Sequence, residues 1–190
     1  MGGGPSPAPE RSAYELRNTV LAAVLNVYDA LAACPVPTVA CVQADALGFG
    51  AALAVACDIT LVSDKAHIGF PEIEHNIPPA LAMSAAIRNV PPKALNWLVY
   101  SAEKVDAATA VSMGLASHAF PDGDFSREAE AFLERLATRP RLVLEAVKSD
   151  HSKAREKGFR LSGKISVGKG ATCKAHGNGR CGVNLFCRIH

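Results

Sequence analysis

Residues 46–72 bring together two kinds of group that can do proton-transfer and acyl chemistry. Gly48 and Gly50 flank Phe49 in a turn that delivers the chain into a small-residue helix. The first N–H groups of a helix have no partner within it. With the helix dipole they make a place for negative charge. An oxyanion developing beside the Phe49 N–H would be held by the backbone, whatever side chains surround it. Glu72 follows Pro71, at the exit of a predicted strand, and ligands of open α/β sheets bind along that rim. A carboxylate placed there can take a proton and return it. Each feature also has a plain structural use. Gly-x-Gly turns before helices solve a steric problem, and a carboxylate after a proline is ordinary surface chemistry.

Other polar side chains compete for a role. His75 lies close enough in sequence to Glu72 to reach the same place, or it points to solvent. His67 and His118 fall in apolar strand patterns, which suits core or edge histidines. Asp58 opens a strand and fits a structural carboxylate that bonds nearby backbone N–H groups. Cys173, His176, Cys181, Cys187 and His190 include two Cys-x-x-His pairs. Four of them could hold zinc in a tetrahedral site, but the spacing matches no zinc motif, so no metal is expected.

The elements that must position these groups follow from apolar spacing. Ser12 and Glu15 fit a capping box. Leu16, Val20, Val24, Val27, Tyr28 and Leu31 then recur at helical spacing. Pro35 and Pro37 end that helix. Residues 37–42 and 59–62 read as buried strands, and residues 50–56 as the helix that crosses between them. This predicts a βαβ unit with a parallel sheet. Residues 67–70 suit a third strand, stopped by Pro71. Beyond Pro79 the pattern predicts helices over residues 80–87, 92–101, 107–113, 125–138 and 141–149. Asp106 caps the third of these, and a short strand is predicted over residues 116–120. Residues 157–190 show no period and many glycines, so no element is predicted there.

Composition sets the limits. The chain has 190 residues, 49% of them hydrophobic and 20% charged, which suits one folded domain rather than a disordered or collagen-like chain. No apolar stretch reaches the roughly 18 residues of a membrane span, and residues 1–15 do not read as a secretory signal. The net charge of +2 hides a division, with −6 over residues 1–150 and +8 over residues 151–190. A basic segment of this kind can attract acidic partners. With only Phe159 and Phe186 to stack on bases, nucleic-acid binding is not expected. Cys34, Cys41 and Cys57 sit in apolar runs and suggest a reducing compartment, the cytoplasm or an organelle such as the mitochondrial matrix. The expected organisation is a flexible lead-in (1–11), a folded domain (12–150) and a basic, disordered tail (151–190).

The run PTVACVQADALGFGAALAVACDITLVSDKAHIGFPEIEHNIPPA resembles the heart of the crotonase superfamily, the enoyl-CoA hydratases and isomerases. A proline-led strand, an Ala-Leu-Gly turn, a small-residue helix, an Ala-Cys-Asp strand start and a rim Pro-Glu follow in the family's order. KALNWLVYSAEKVDAATAVSMGLASHAFP is similar to the family's next signature. The likeness runs over roughly residues 16–149.

The resemblance implies an α/β fold, a crotonase-like fragment of the ββα spiral followed by a helical C-terminal region. It implies acyl-CoA thioester substrates, coenzyme A as part of the substrate rather than a cofactor, and a homo-oligomer, a trimer or a dimer of trimers. Carried over by position, Phe49 N–H is an oxyanion-hole donor, Glu72 is a catalytic glutamate, and Gly48, Pro71 and Pro79 line the substrate. Ala52 falls where hydratases carry their other glutamate, which favours double-bond isomerisation over hydration. Asn76 replaces a family glycine, and residues 79–82 replace a glycine-rich stretch. The family's N-terminal strands and second oxyanion N–H have no counterpart in residues 1–15. That leaves a competing expectation, a catalytically impaired relative that acts as an assembly partner.

Overall fold

The computed structural model describes residues 22–156 and 186–189. Helix α1 (Ala22–Ala33) stops just before Pro35 and Pro37, whose rings remove backbone donors. Strand β1 (Val39–Val42) is buried along its whole length. Small and β-branched residues on both faces suit a parallel strand covered from two sides. The chain then forms β2 (Ala46–Leu47), α2 (Phe49–Ala56) and β3 (Ile59–Ser63). β3 returns parallel to β1, with Val39 opposite Ile59 and Val42 opposite Val62. The predicted βαβ unit is therefore present.

β6 (His118–Phe120) adds to β3, and β7 (Phe186–Ile189) adds to the other edge of β1, both parallel. The sheet order is β6-β3-β1-β7. A second sheet joins β2, β4 (His67–Gly69) and β5 (Val105–Asp106) in the order β2-β4-β5. The predicted third strand is present as β4, in a different sheet from β1 and β3. β2 and β5 were not predicted. Each has two residues, too few for a period to show.

The remaining helices are α3 (Ala80–Ala86), α4 (Pro92–Ser101), α5 (Ala107–Ser112), α6 (Phe125–Ala137) and α7 (Arg141–Glu156). The Asp106 cap forms as predicted, accepting from Thr109 N–H at 2.7 Å. α7 runs to Glu156, past the predicted end at residue 149. β7 lies in a segment for which no element was predicted. The lead-in (1–11), the Ser12–Glu15 capping box with the start of the first predicted helix at Leu16 and Val20, and residues 157–185 and 190 lie outside the described residues.

Side-chain alternation along β1 divides the interior. Ala40 and Val42 join a core with Val62, Ile68, Phe70 and the alanines of α2 and α3. Val39 and Cys41 face a second core with Leu61, Phe125 and Ala129 of α6. Ala51, Ala52 and Ala54 are fully buried, so α2 approaches the sheet and α3 more closely than larger side chains would allow. Lys148 ties α7 to α1 and to the start of β3. Its ammonium donates to Leu31 O and Val36 O, both at 3.1 Å, and to Asp58 Oδ2 at 2.8 Å. It thereby bonds a carbonyl in the last turn of α1, where a cation is favoured by the helix dipole, and another in the loop that follows.

Candidate active site

The second sheet assembles the group singled out in the sequence. Leu47 pairs with Gly69 across β2 and β4, and Gly48 N–H donates to Gly69 O at 2.9 Å. Gly48 has φ +56° and ψ −119°, a conformation closed to residues with a Cβ. Its carbonyl accepts from Ala52 N–H at 3.0 Å, so α2 begins at once. Phe49 is the first residue of that helix, and its N–H is one of those that helix geometry leaves without an intrahelical acceptor.

The chain leaving β4 is fixed by Phe70, which is fully buried. Pro71 opens a single 3₁₀ turn (Pro71–His75) that carries Glu72. Asn76 ends the turn with φ 56° and ψ 29°, the left-handed conformation that asparagine tolerates best after glycine. Ile77 N–H donates to Glu72 O at 3.1 Å, which holds the turn closed. Glu72 Oε1 lies 3.4 Å from the position a Cβ on Gly48 would take, which brings the carboxylate beside the turn ahead of Phe49. Glu72 Oε2 is buried and has no hydrogen-bond partner. Gly48, Phe49, Pro71 and Glu72 therefore form one cluster. Pro79 is buried at the head of α3.

Sequence reasoning missed one member. Tyr28 was read only as part of the apolar face of α1. Its ring stands beside that of Phe49, with centroids 6.2 Å apart and planes tilted by 39°. Its hydroxyl is buried without a partner. Burial, and after it the charge of Glu72, pushes the phenol up to about 12, so it keeps its proton throughout the neutral range. The available signal was a polar tip at an otherwise apolar helical position. A cleft of about 330 Å³ opens from Tyr28 toward Asp29, Arg88 and Lys148. It shares Tyr28 with the cluster but is not lined by Gly48, Phe49 or Glu72.

The competing polar groups take structural places. Asp58 accepts from Thr38 N–H at 2.7 Å and from the Thr38 hydroxyl at 2.8 Å. Burial acts to raise its pKa, but the Lys148 ammonium and the Thr38 donors outweigh that and hold it below the usual carboxylate range. His67 pairs with Asp45 at 3.0 Å, and His118 lies edge-on to Phe120. His75 is exposed at the end of the 3₁₀ turn. Ala52 is fully buried, so the one carboxylate of this cluster is Glu72.

The family model for "Enoyl-CoA hydratase/isomerase" matches residues 9–162. The chain belongs to the enoyl-CoA hydratase/isomerase family. A putative enoyl-CoA hydratase of Thermus thermophilus is 34% identical over 132 residues, covering 67% of this chain and 52% of the relative. The 2,3-dehydroadipyl-CoA hydratase of Escherichia coli is 33% identical over 140 residues, covering 70% and 55%. Among solved structures, a putative enoyl-CoA hydratase/isomerase (crotonase) from Legionella pneumophila superposes with a TM-score of 0.71 at 29% identity, covering 83% of this chain and 58% of that one. This enoyl-CoA hydratase/isomerase relative thus has the crotonase fold, as its sequence motifs implied. It spans about half the length of the relatives it matches.

Proposed function

We propose that the protein binds acyl-CoA thioesters and moves the double bond of a 3-enoyl-CoA to the 2-position. The observation that carries this is the Glu72 carboxylate seated against the Gly48 turn, with a buried alanine at the position of the second hydratase glutamate. Glu72 removes a proton from C2. The electron pair spreads over a dienolate, and its charge on the thioester oxygen is met by the Phe49 N–H at the head of α2. Glu72 then delivers the proton to C4, which leaves the double bond between C2 and C3. Hydration asks for more, because a water must be positioned while protons move at two sites. Family membership and the hydratase relatives support the substrate class. Coenzyme A enters as part of the substrate, and the reaction calls for no separate cofactor.

The same reading includes a homo-oligomer in the cytoplasm or mitochondrial matrix. Trp97 and Tyr100 on α4 and Leu142 and Val147 on α7 are exposed, which supports self-association. No described helix is long and apolar enough to cross a membrane. The test is a direct comparison of rates for the purified protein on a 3-enoyl-CoA and on crotonyl-CoA. Faster isomerisation than hydration is expected, and the reverse order contradicts the proposal.

A further inference from the structure

Two buried polar atoms in the cluster have no partner, the Tyr28 hydroxyl and Glu72 Oε2. Buried polar groups in folded proteins are nearly always satisfied, so an unsatisfied pair at one site asks for a reason. The two are not bonded to each other. A hydroxyl with a purely structural task would sit against a fixed acceptor, and this one does not. The Tyr28 ring lies against that of Phe49, so the phenol stands beside the residue whose N–H opens α2. Glu72 packs on the preceding glycine. Tyr28, Phe49 and Glu72 are thus neighbours: the two rings stand 6.2 Å apart, and the Glu72 charge is felt at the phenol. The phenol also keeps its proton, since burial and the Glu72 charge raise it to about 12.

We infer that Tyr28 donates a hydrogen bond to the thioester carbonyl oxygen of the substrate, alongside the Phe49 N–H, and so completes a mixed side-chain and backbone oxyanion hole. The inference rests on the reading of Glu72 as the base of an enoyl-CoA isomerisation. No proton leaves Tyr28 in the cycle. The phenol holds the negative charge that appears on oxygen when Glu72 takes the C2 proton, and it releases that charge when C4 is protonated. Binding the carbonyl also gives the buried hydroxyl the acceptor it lacks.

Tyr28→Phe removes the hydroxyl and keeps the ring. Because that hydroxyl has no partner in the fold, the variant should unfold at the same urea concentration as wild type or higher. Two further readouts use the full chain. In isomerisation of 3-hexenoyl-CoA, Tyr28→Phe should lower kcat by about 10²–10³-fold with KM within a few-fold, as for loss of one oxyanion donor. In an ultraviolet titration of bound acetoacetyl-CoA, the ligand should form its enolate at a pH about two units higher than on wild type, the same hundredfold seen at equilibrium. A structural role would move the urea midpoint and leave the ligand's ionisation in place. Wild-type kcat together with an unmoved enolate titration in Tyr28→Phe overturns the inference alone. A wild-type chain that binds neither thioester overturns the proposed function itself. Binding without turnover overturns the isomerase reading, and the enolate titration still decides for or against Tyr28.

Discussion

The Glu72 carboxylate lies 3.4 Å from where a Cβ on Gly48 would stand, so the space a side chain at residue 48 would enter is bounded by Glu72. Gly48→Ala acts on both the turn and Glu72. The alanine must adopt φ +56° and ψ −119°, which costs about 1–3 kcal/mol, and relief of that strain displaces either Phe49 N–H or Glu72. A lower urea midpoint is expected, with a fall in isomerase kcat on the order of 10²-fold. Unchanged stability and kcat would show that the turn does not position the site.

Much of the candidate site's local geometry was legible because its parts are local. The Ala-Leu-Gly turn, the Pro-Glu step and the left-handed Asn76 each announce themselves within a few residues. The Asp106 cap and the full length of α4 were equally plain, since a capping carboxylate and a first-turn proline act at short range. What escaped depends on tertiary pairing. β2 and β5 are strands only because β4 lies between them, and Tyr28 joins the site only because α1 packs beside Phe49. The Asp58 carboxylate was read as structural, but its cation, Lys148, sits 90 residues away, and no spacing rule links the two.

Lys148→Met tests that long-range tie. The substitution takes the cation from Asp58, which keeps its two Thr38 donors, and removes the ammonium's bonds to the Leu31 and Val36 carbonyls. Breaking a buried ion pair costs about 3–5 kcal/mol. Asp58 is partly exposed, so a loss near the lower end, about 3 kcal/mol, is expected from urea denaturation at neutral pH. The Asp58 pKa is depressed in the folded state, so its stabilising effect is full above the unfolded carboxylate pKa of about 3.9 and fades as pH falls through the folded value. The gap between wild type and Lys148→Met should therefore narrow below about pH 4. A gap that stays constant down to pH 2 would remove Asp58 from the account.

Self-association is open to measurement. Trp97 and Tyr100 are 54% and 75% exposed, and Leu142, Val143 and Val147 are 69%, 54% and 62% exposed. Helices α4 and α7 thus offer water more large apolar surface than a monomer needs to show. Sedimentation equilibrium at micromolar concentration should report a closed oligomer, a trimer or a dimer of trimers. A single monomeric species would contradict it.

In the proposed isomerisation Glu72 alone moves the proton. Glu72→Gln keeps the size and packing of the side chain and removes the base. Calorimetric binding of an enoyl-CoA should stay within a few-fold of wild type, while isomerisation of 3-hexenoyl-CoA should fall by about 10²–10⁴-fold, the range for loss of a general base. Wild-type turnover by Glu72→Gln would contradict the account.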